Sequence, residues 1–475
     1  MQPSFLFGKK GNTVAKKDMN MIEGPIFRKL VMYTLPILAT GILQLLYNFA
    51  DSFVVSRFAE DGEKSLAAVG ATGSICNLLV CLVLGLSVGG CVAVSQYIGS
   101  RNAQAVSETV HTAVTASIIF GLPIALVGFA LAEPLLLAMQ TPADVIDKSV
   151  LYMQIYFVGV PATMIYNYSS GILRAKGDTR FPLYVLIVSG LLNVVLNLIF
   201  VIVFEMDVAG VAWATVFSQT LSAILGVWRL HSLRDDCRLH FFRLRLHKDK
   251  LLRIVKIGLP AGIQSSVFAL SNVLLQSSVN SLGSTVMAAN TAASTFDAFV
   301  YTAQNSVYHG TLTFVGQNVG ARRLDRVKKV FRLSLLLVTL IWAVFGGVEL
   351  LFGRQMLDFY LGGNEEVIGY AILRLTLLTA TYVLCGYMEV FTGVMRGIGV
   401  SLIPMIITVV GVCGMRLFWI YFVFPIDYFH NLLWLFASYP ISWTLTLLFQ
   451  IIAYVIIMKR TRAHMEMTDV PLYIK

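Results

Sequence analysis

Five charged side chains fall inside stretches that are otherwise apolar: Asp51, Asp297, Glu389, Arg374 and Arg416. A charge in oil costs about 2.5–3.5 kcal/mol on insertion scales, so those that persist ordinarily face a cavity and act there. Asp51 lies about six residues, or roughly 9 Å, from the far end of the first apolar run, and Asn197 and Thr215 lie about eight residues from the matching ends of the fifth and sixth. The three groups therefore share a level, with Asn193 one turn deeper on the face of Asn197. A carboxylate, two amide oxygens and a hydroxyl suit a small cation or a proton, which makes Asp51 a candidate Na⁺ site. For the asparagines and the threonine, hydrogen bonds that merely join helices are the competing reading.

Glu389 reads as a second protonation site or a contact for cationic substrates, and Asp297 as a pathway residue or half of a buried pair. Arg416 reads as an internal partner for a carboxylate or for helix-end carbonyls. Tyr47, Tyr166 and Trp213 are candidates for flat cations, against a packing role. Pro36 and Pro260 each free a carbonyl one turn earlier and so hinge or merely kink their helices.

The elements carrying these groups are lipid-length helices. Of 475 residues 57% are apolar and 13% charged, whereas a soluble chain has roughly 45–50% and about 25%. Runs of about twenty apolar residues, the length that spans roughly 30 Å of hydrocarbon, recur along the chain. Helices are expected near 29–56, 66–92, 108–131, 149–171, 182–204, 208–228, 254–280, 286–315, 331–352, 367–394, 402–424 and 432–458. The fold class is thus an all-α integral membrane protein. The first run is too long for the core of a signal peptide. Of 36 Lys and Arg residues, 30 fall in the tails and alternate loops and four (Arg57, Lys64, Lys148, Arg354) in the other loops. That bias places both termini in the cytoplasm. The opposite loops carry acids, among them Glu60, Asp61, Glu205 and Asp207.

The chain also repeats itself. Leu35-Pro36 returns as Leu259-Pro260; Gln96, Gly99 and Arg101 return as Gln317, Gly320 and Arg322; Gly171, Arg174 and Gly177 return as Gly393, Arg396 and Gly399. The offsets are 221 to 224. Six helices per half is an even number, so the twelve transmembrane helices form two parallel six-helix repeats about an axis along the membrane normal. The domains are then a tail (1–28), a first lobe (29–231), a basic linker (232–250), a second lobe (251–459) and a tail (460–475). Glu389 occupies the repeat position of Asn167.

Together the motifs Leu35-Pro36, Tyr47-Asn48-x-x-Asp51, Leu66-Ala67-Ala68-Val69-Gly70, Ser95-Gln96-Tyr97-Ile98-Gly99, Leu173-Arg174-Ala175-Lys176-Gly177-Asp178 and Gly210-Val211-Ala212-Trp213-Ala214-Thr215 resemble those of the multidrug and toxic compound extrusion (MATE) exporters. The resemblance spans essentially the whole chain. It implies two lobes, V-shaped when open outward, and efflux of amphipathic, often cationic compounds in exchange for H⁺ or Na⁺. It further implies that Asp51 is the ion-coupling acid, with Asn193, Asn197, Thr215 and Asn167 as its polar neighbours. Some members carry an aspartate where Asn197 stands and a glutamate in the seventh helix, where this chain has Gln264 and Gln276. One acid fewer for proton relay favours Na⁺ or mixed coupling.

Other classes fit poorly. The basic residues lie between membrane helices and form no separate face for nucleic acid. No Gly-rich phosphate loop of the G-x-x-x-x-G-K-[ST] form occurs, and the six scattered cysteines suggest neither disulfides nor a metal site. The basic stretch joining the halves reads as a linker drawn to lipid headgroups. The expected protein is a multi-pass, monomeric antiporter of the cell membrane. Its partners are small molecules and the bilayer, and it has no cofactor beyond the coupling ion. The rivals are a flippase for lipid-linked oligosaccharide or peptidoglycan precursors, which would want a more basic cavity, and a membrane enzyme, which would want converging His or acids.

Overall fold

The computed structural model describes residues 19–58, 62–139 and 141–467, with no strand among them. Residues 1–18 and 468–475 of the expected tails, and Glu60 and Asp61, lie outside the described residues. Helices α1 (Ile26–Phe58), α2 (Gly62–Gly99) and α3 (Ala103–Ala138) come first. In α4, Ile146–Val158 and Val160–Lys176 meet at a 44° bend, and α5 (Arg180–Val203) and α6 (Asp207–Ser232) complete the first repeat. The second comprises α7 (Lys248–Asn280), α8 (Ser284–Gly320), α9 (Leu324–Leu361), α10 (Glu365–Ile398), α11 (Leu402–Val423) and α12 (Leu432–Met467).

Ten of these columns are long and apolar enough to cross a membrane singly, and the bent α4 makes an eleventh. The twelfth, α8, is 37 residues long but too polar to cross alone, with Asn290, Thr291, Ser294, Thr295, Asp297 and Gln304 along it. Of these, Asn290, Asp297 and Gln304 are buried, Asn290 bonded to Gln276 of α7 and Asp297 paired with Arg374 of α10, whereas Thr291 is exposed and Ser294 and Thr295 are half-buried. Elsewhere apolar side chains such as Leu126, Val344 and Leu351 face outward. This is the expected surface of a protein dissolved in hydrocarbon.

The repeat motifs lie where the two halves touch. At the end of the bundle that carries the basic loops, α2 and α8 cross so closely that a Cβ on Gly99 would strike the Gln317 carbonyl and one on Gly320 the Gln96 carbonyl. Gln96 Nε2 donates to the Gly397 carbonyl at 2.7 Å, and Gln317 Nε2 donates to the Ala175 carbonyl at 2.8 Å. Both carbonyls belong to last turns, of α10 and α4, where no helical N–H remains to bond them. Each repeat therefore caps a helix of the other. Gly177 and Gly399, at φ 104° and 105°, end those two helices in the left-handed conformation that glycine adopts without penalty.

From this crossing the seam runs along α2 and α7, the most extensive helix pair in the protein. Gly85 and Gly89 meet Gly262 and Gly258 with no room for a side chain. It reaches mid-depth, where Ser266 Oγ donates to the Leu78 carbonyl at 3.2 Å. Farther toward the acidic end of α2, Gly70 and Gly73 face open space.

Both α1 and α7 pass from one repeat to the other. Leu30, Tyr33 and Ile37 of α1 pack with Val307, Phe314 and Val338, whereas Tyr47 lies on Gly190 of α5. Likewise Ile254 and Ile257 of α7 pack with Val88 and Val92 of α2, and Leu275 and Val279 with Val412 and Trp419 of α11. Pro36 and Pro260 sit near these passages, inside helices that continue through them.

Candidate ion and substrate sites

The first-repeat site is built by α1 and α5. Because Gly190 has no side chain, the Tyr47 ring lies flush on α5. Asp51, one turn on from Tyr47, then meets the α5 face that carries Asn193 and Asn197. Asn197 is fully buried, and its Nδ2 donates to Asp51 Oδ1 at 2.5 Å and to Asn193 Oδ1 at 3.3 Å. Its own Oδ1 is buried without a partner. A buried acceptor left unmet costs about 1–3 kcal/mol, so the trio offers a carboxylate and amide oxygens to a cation or a proton. Immediately beyond Asn197, α5 relaxes into a π-helical turn, Ile199–Val203, a device frequent at functional sites.

The other expected neighbours are arranged differently. The Thr215 hydroxyl donates to the Val211 carbonyl at 3.0 Å, and Asn167 donates to the Thr163 carbonyl at 2.8 Å, each one turn back on its own helix. The helix α4 reaches the site through Tyr152 instead, which packs among Val54, Val55, Val201 and Val211. Half-buried Trp213 stacks toward Phe217, 5.9 Å between ring centroids, and Tyr166 donates to the Pro182 carbonyl at 3.4 Å.

The second repeat holds more charge. Asp297 of α8 and Arg374 of α10 are both buried and form an ion pair within the repeat. Beside them Glu349 of α9, also buried, accepts from Thr379 Oγ1 at 2.9 Å. Sequence reasoning passed over Glu349, although a lone acid inside the apolar run 331–352 is the same signal that singled out Asp51. Glu389 is half-buried on α10, one turn from Gly386; there Gln304, whose amide lacks any partner, packs close. Gln264 accepts from Arg396 at 2.8 Å and Gln276 from Asn290 at 2.6 Å. Arg416 is fully buried without a carboxylate, contrary to its expected pairing with an acid or helix-end carbonyls. Its Nη1 donates to Asn272 at 3.1 Å, the Tyr439 ring lies 4.1 Å away, and Nε and Nη2 have no partner.

Two parallel six-helix repeats, sealed together at one end, with buried ionisable groups at membrane depth, define a polytopic transporter. The MatE family profile matches residues 36–199 and again 260–422, once per repeat. The chain therefore belongs to the MatE family of multidrug efflux transporters. It is 27% identical over 400 residues, 82% of this chain and 85% of the relative, to the probable multidrug resistance protein YoeA of Bacillus subtilis. It is 24% identical over 387 residues to the FAD transporter of Shewanella oneidensis, covering 79% and 83% of the two chains. Among solved structures, an outward-facing multidrug resistance MATE transporter of the MOP superfamily superposes with a TM-score of 0.84 at 20% identity, covering 94% of this chain and 99% of that one.

Proposed function

We propose that this chain is a secondary active antiporter that exports amphipathic, often cationic compounds in exchange for Na⁺ or H⁺. The observation that carries this reading is the Asp51–Asn197–Asn193 cluster, a carboxylate and an unmet amide oxygen held together by α1 and α5. When the ion or proton leaves, Asp51 is charged in a site of low polarity, a state that an incoming cationic compound would relieve. The bias of the basic loops supports a cytoplasmic location for the sealed end and both termini, so that the opposite end would open outward. Pro36 and Pro260 are the points at which α1 and α7 would bend as the repeats rock, the motion by which such repeats alternate access. Half-buried Glu389 is the candidate contact for a cationic group in the second repeat. A precursor flippase is less well supported, because Arg374 is spent on Asp297 and Arg416 is sealed inside its repeat.

The test is ethidium efflux from proteoliposomes under an imposed Na⁺ or pH gradient, with Asp51→Asn beside wild type. Efflux driven by one gradient and abolished in the variant supports the reading and names the ion. Wild-type protein that moves no amphipathic cation under either gradient refutes it.

A further inference from the structure

At the basic end the described residues form two matching hollows, one in each repeat. The first, of about 510 Å³, lies between Ala103 and Ser107 at the start of α3 and the linker side chains Arg234, Arg238, His240 and Arg243. The second, of about 500 Å³, lies between Leu324 and Lys328 at the start of α9 and Lys459 and Arg462 near the end of α12. Ala103 and Ser107 become Leu324 and Lys328 at the same offset of 221 that relates Gln96 to Gln317. The opposite walls are the chain leaving α6 in one repeat and the end of α12 in the other. The two hollows are thus one feature, made twice by the repeat.

Both are electropositive. In the first, Asp235 is committed to Lys176 and to the Cys237 N–H at 3.0 Å, which leaves three guanidiniums facing Asp236. In the second, Glu466 is held by Arg462 at 2.8 Å, leaving Lys328 and Lys459 facing Asp325. The linker is a pinned wall and not a loose strap. The His240 N–H donates to His111 Nε2 at 3.0 Å, their rings stack at 6.2 Å, and Leu239 is fully buried. Desolvation together with Arg238 and Arg243 holds the His240 imidazole below its ordinary pKa. Next to the arginines Phe242 is wholly exposed and Phe241 half exposed, and Trp228 is exposed near the end of α6. Exposed aromatics beside cations are the composition of a membrane surface, not of a site for a water-soluble anion.

We propose that each hollow binds the phosphate of an anionic phospholipid in the leaflet at the basic end, one lipid per repeat. The chain is placed in nanodiscs of phosphatidylglycerol and phosphatidylcholine, and lipids retained after release are counted by native mass spectrometry. Two phosphatidylglycerol molecules per chain are expected. Arg234→Gln with Arg238→Gln and Arg243→Gln should remove one, Lys328→Gln with Lys459→Gln the other, with affinity falling on the order of fivefold per cation removed. In parallel, the His240 titration followed by NMR should move up with phosphatidylglycerol and stay put with millimolar inorganic phosphate. No preference over phosphatidylcholine, or variants that keep both lipids, overturns the sites. An equal response of His240 to inorganic phosphate overturns the lipid assignment.

Discussion

Replacing Gln317 by Leu tests how the closed end is held. The change keeps the volume of the side chain and removes one amide, so the Ala175 carbonyl at the end of α4 loses its 2.8 Å donor while remaining buried. Loss of such a bond costs about 0.5–1.5 kcal/mol net, and a stranded buried carbonyl about 1–3. In a state whose basic end is open, water would reach the same carbonyl and the penalty would vanish. The closed arrangement should therefore lose about 1–3 kcal/mol, a shift of roughly 5- to 150-fold in the closed-to-open ratio. Spin labels on cysteines placed at the exposed positions Ser232 and Lys329, one in each repeat, read that ratio as a distance distribution by double electron–electron resonance. Wild type should give a dominant short distance, and Gln317→Leu a new long one. Gln96→Leu should do at least as much, since its Oε1 also accepts from Arg253. If both variants give the wild-type distribution while remaining folded, the reciprocal amides do not hold the end shut.

Arg374→Gln should destabilise the second repeat by about 3–5 kcal/mol, because Asp297 would be left charged and unpaired, and adding Asp297→Asn should restore most of it. Equal unfolding curves in detergent for the single and double variants would count against that pairing. Arg416→Met should keep stability or raise it by up to about 4 kcal/mol, since a buried guanidinium with no carboxylate yields to apolar packing; a clear loss would mean that the Asn272 hydrogen bond and the Tyr439 ring outweigh the cost of burying the charge. Gly190→Val pushes the Tyr47 ring off α5 and should weaken ion binding at Asp51 on the order of tenfold, an overpacking cost of 1–3 kcal/mol. Tryptophan fluorescence titrated with Na⁺ or with acid measures it, and an unchanged midpoint would refute the assembly of the site.

The sequence made the twelve helices legible because lipid imposes one length and one composition. It failed to mark their ends, which run on past the apolar run, as α2 does to Gly99. The α8 column is recognisable by its length and its place in the repeat, not by its composition, since polar groups such as Asn290, Asp297 and Gln304 are buried among neighbouring helices. Depth arithmetic brought Asp51 to Asn197 because both helices are regular up to that level. It could not tell that Thr215 and Asn167 would satisfy themselves on their own helices, for hydroxyl and amide groups reach the carbonyl one turn back wherever they sit. Matching of the halves located Gln96 and Gln317 but not their task, because a contact across the axis joins residues some 142 and 301 positions apart. The fate of Arg416 depended on Tyr439 and Asn272, which no spacing announces.

The pairing of Asp297 with Arg374 also sets an order in time. Arg374 follows its acid by 77 residues, so at about 5–20 residues per second a nascent α8 exists for roughly 4 to 15 seconds before its counter-ion has been made. Throughout that interval a column too polar to cross the membrane unaided has nothing to neutralise Asp297, and lipid alone is a poor host for it. Helix α8 must therefore wait beside the translocation machinery, or in the company of α7, until α9 and α10 emerge and enter the bilayer with it.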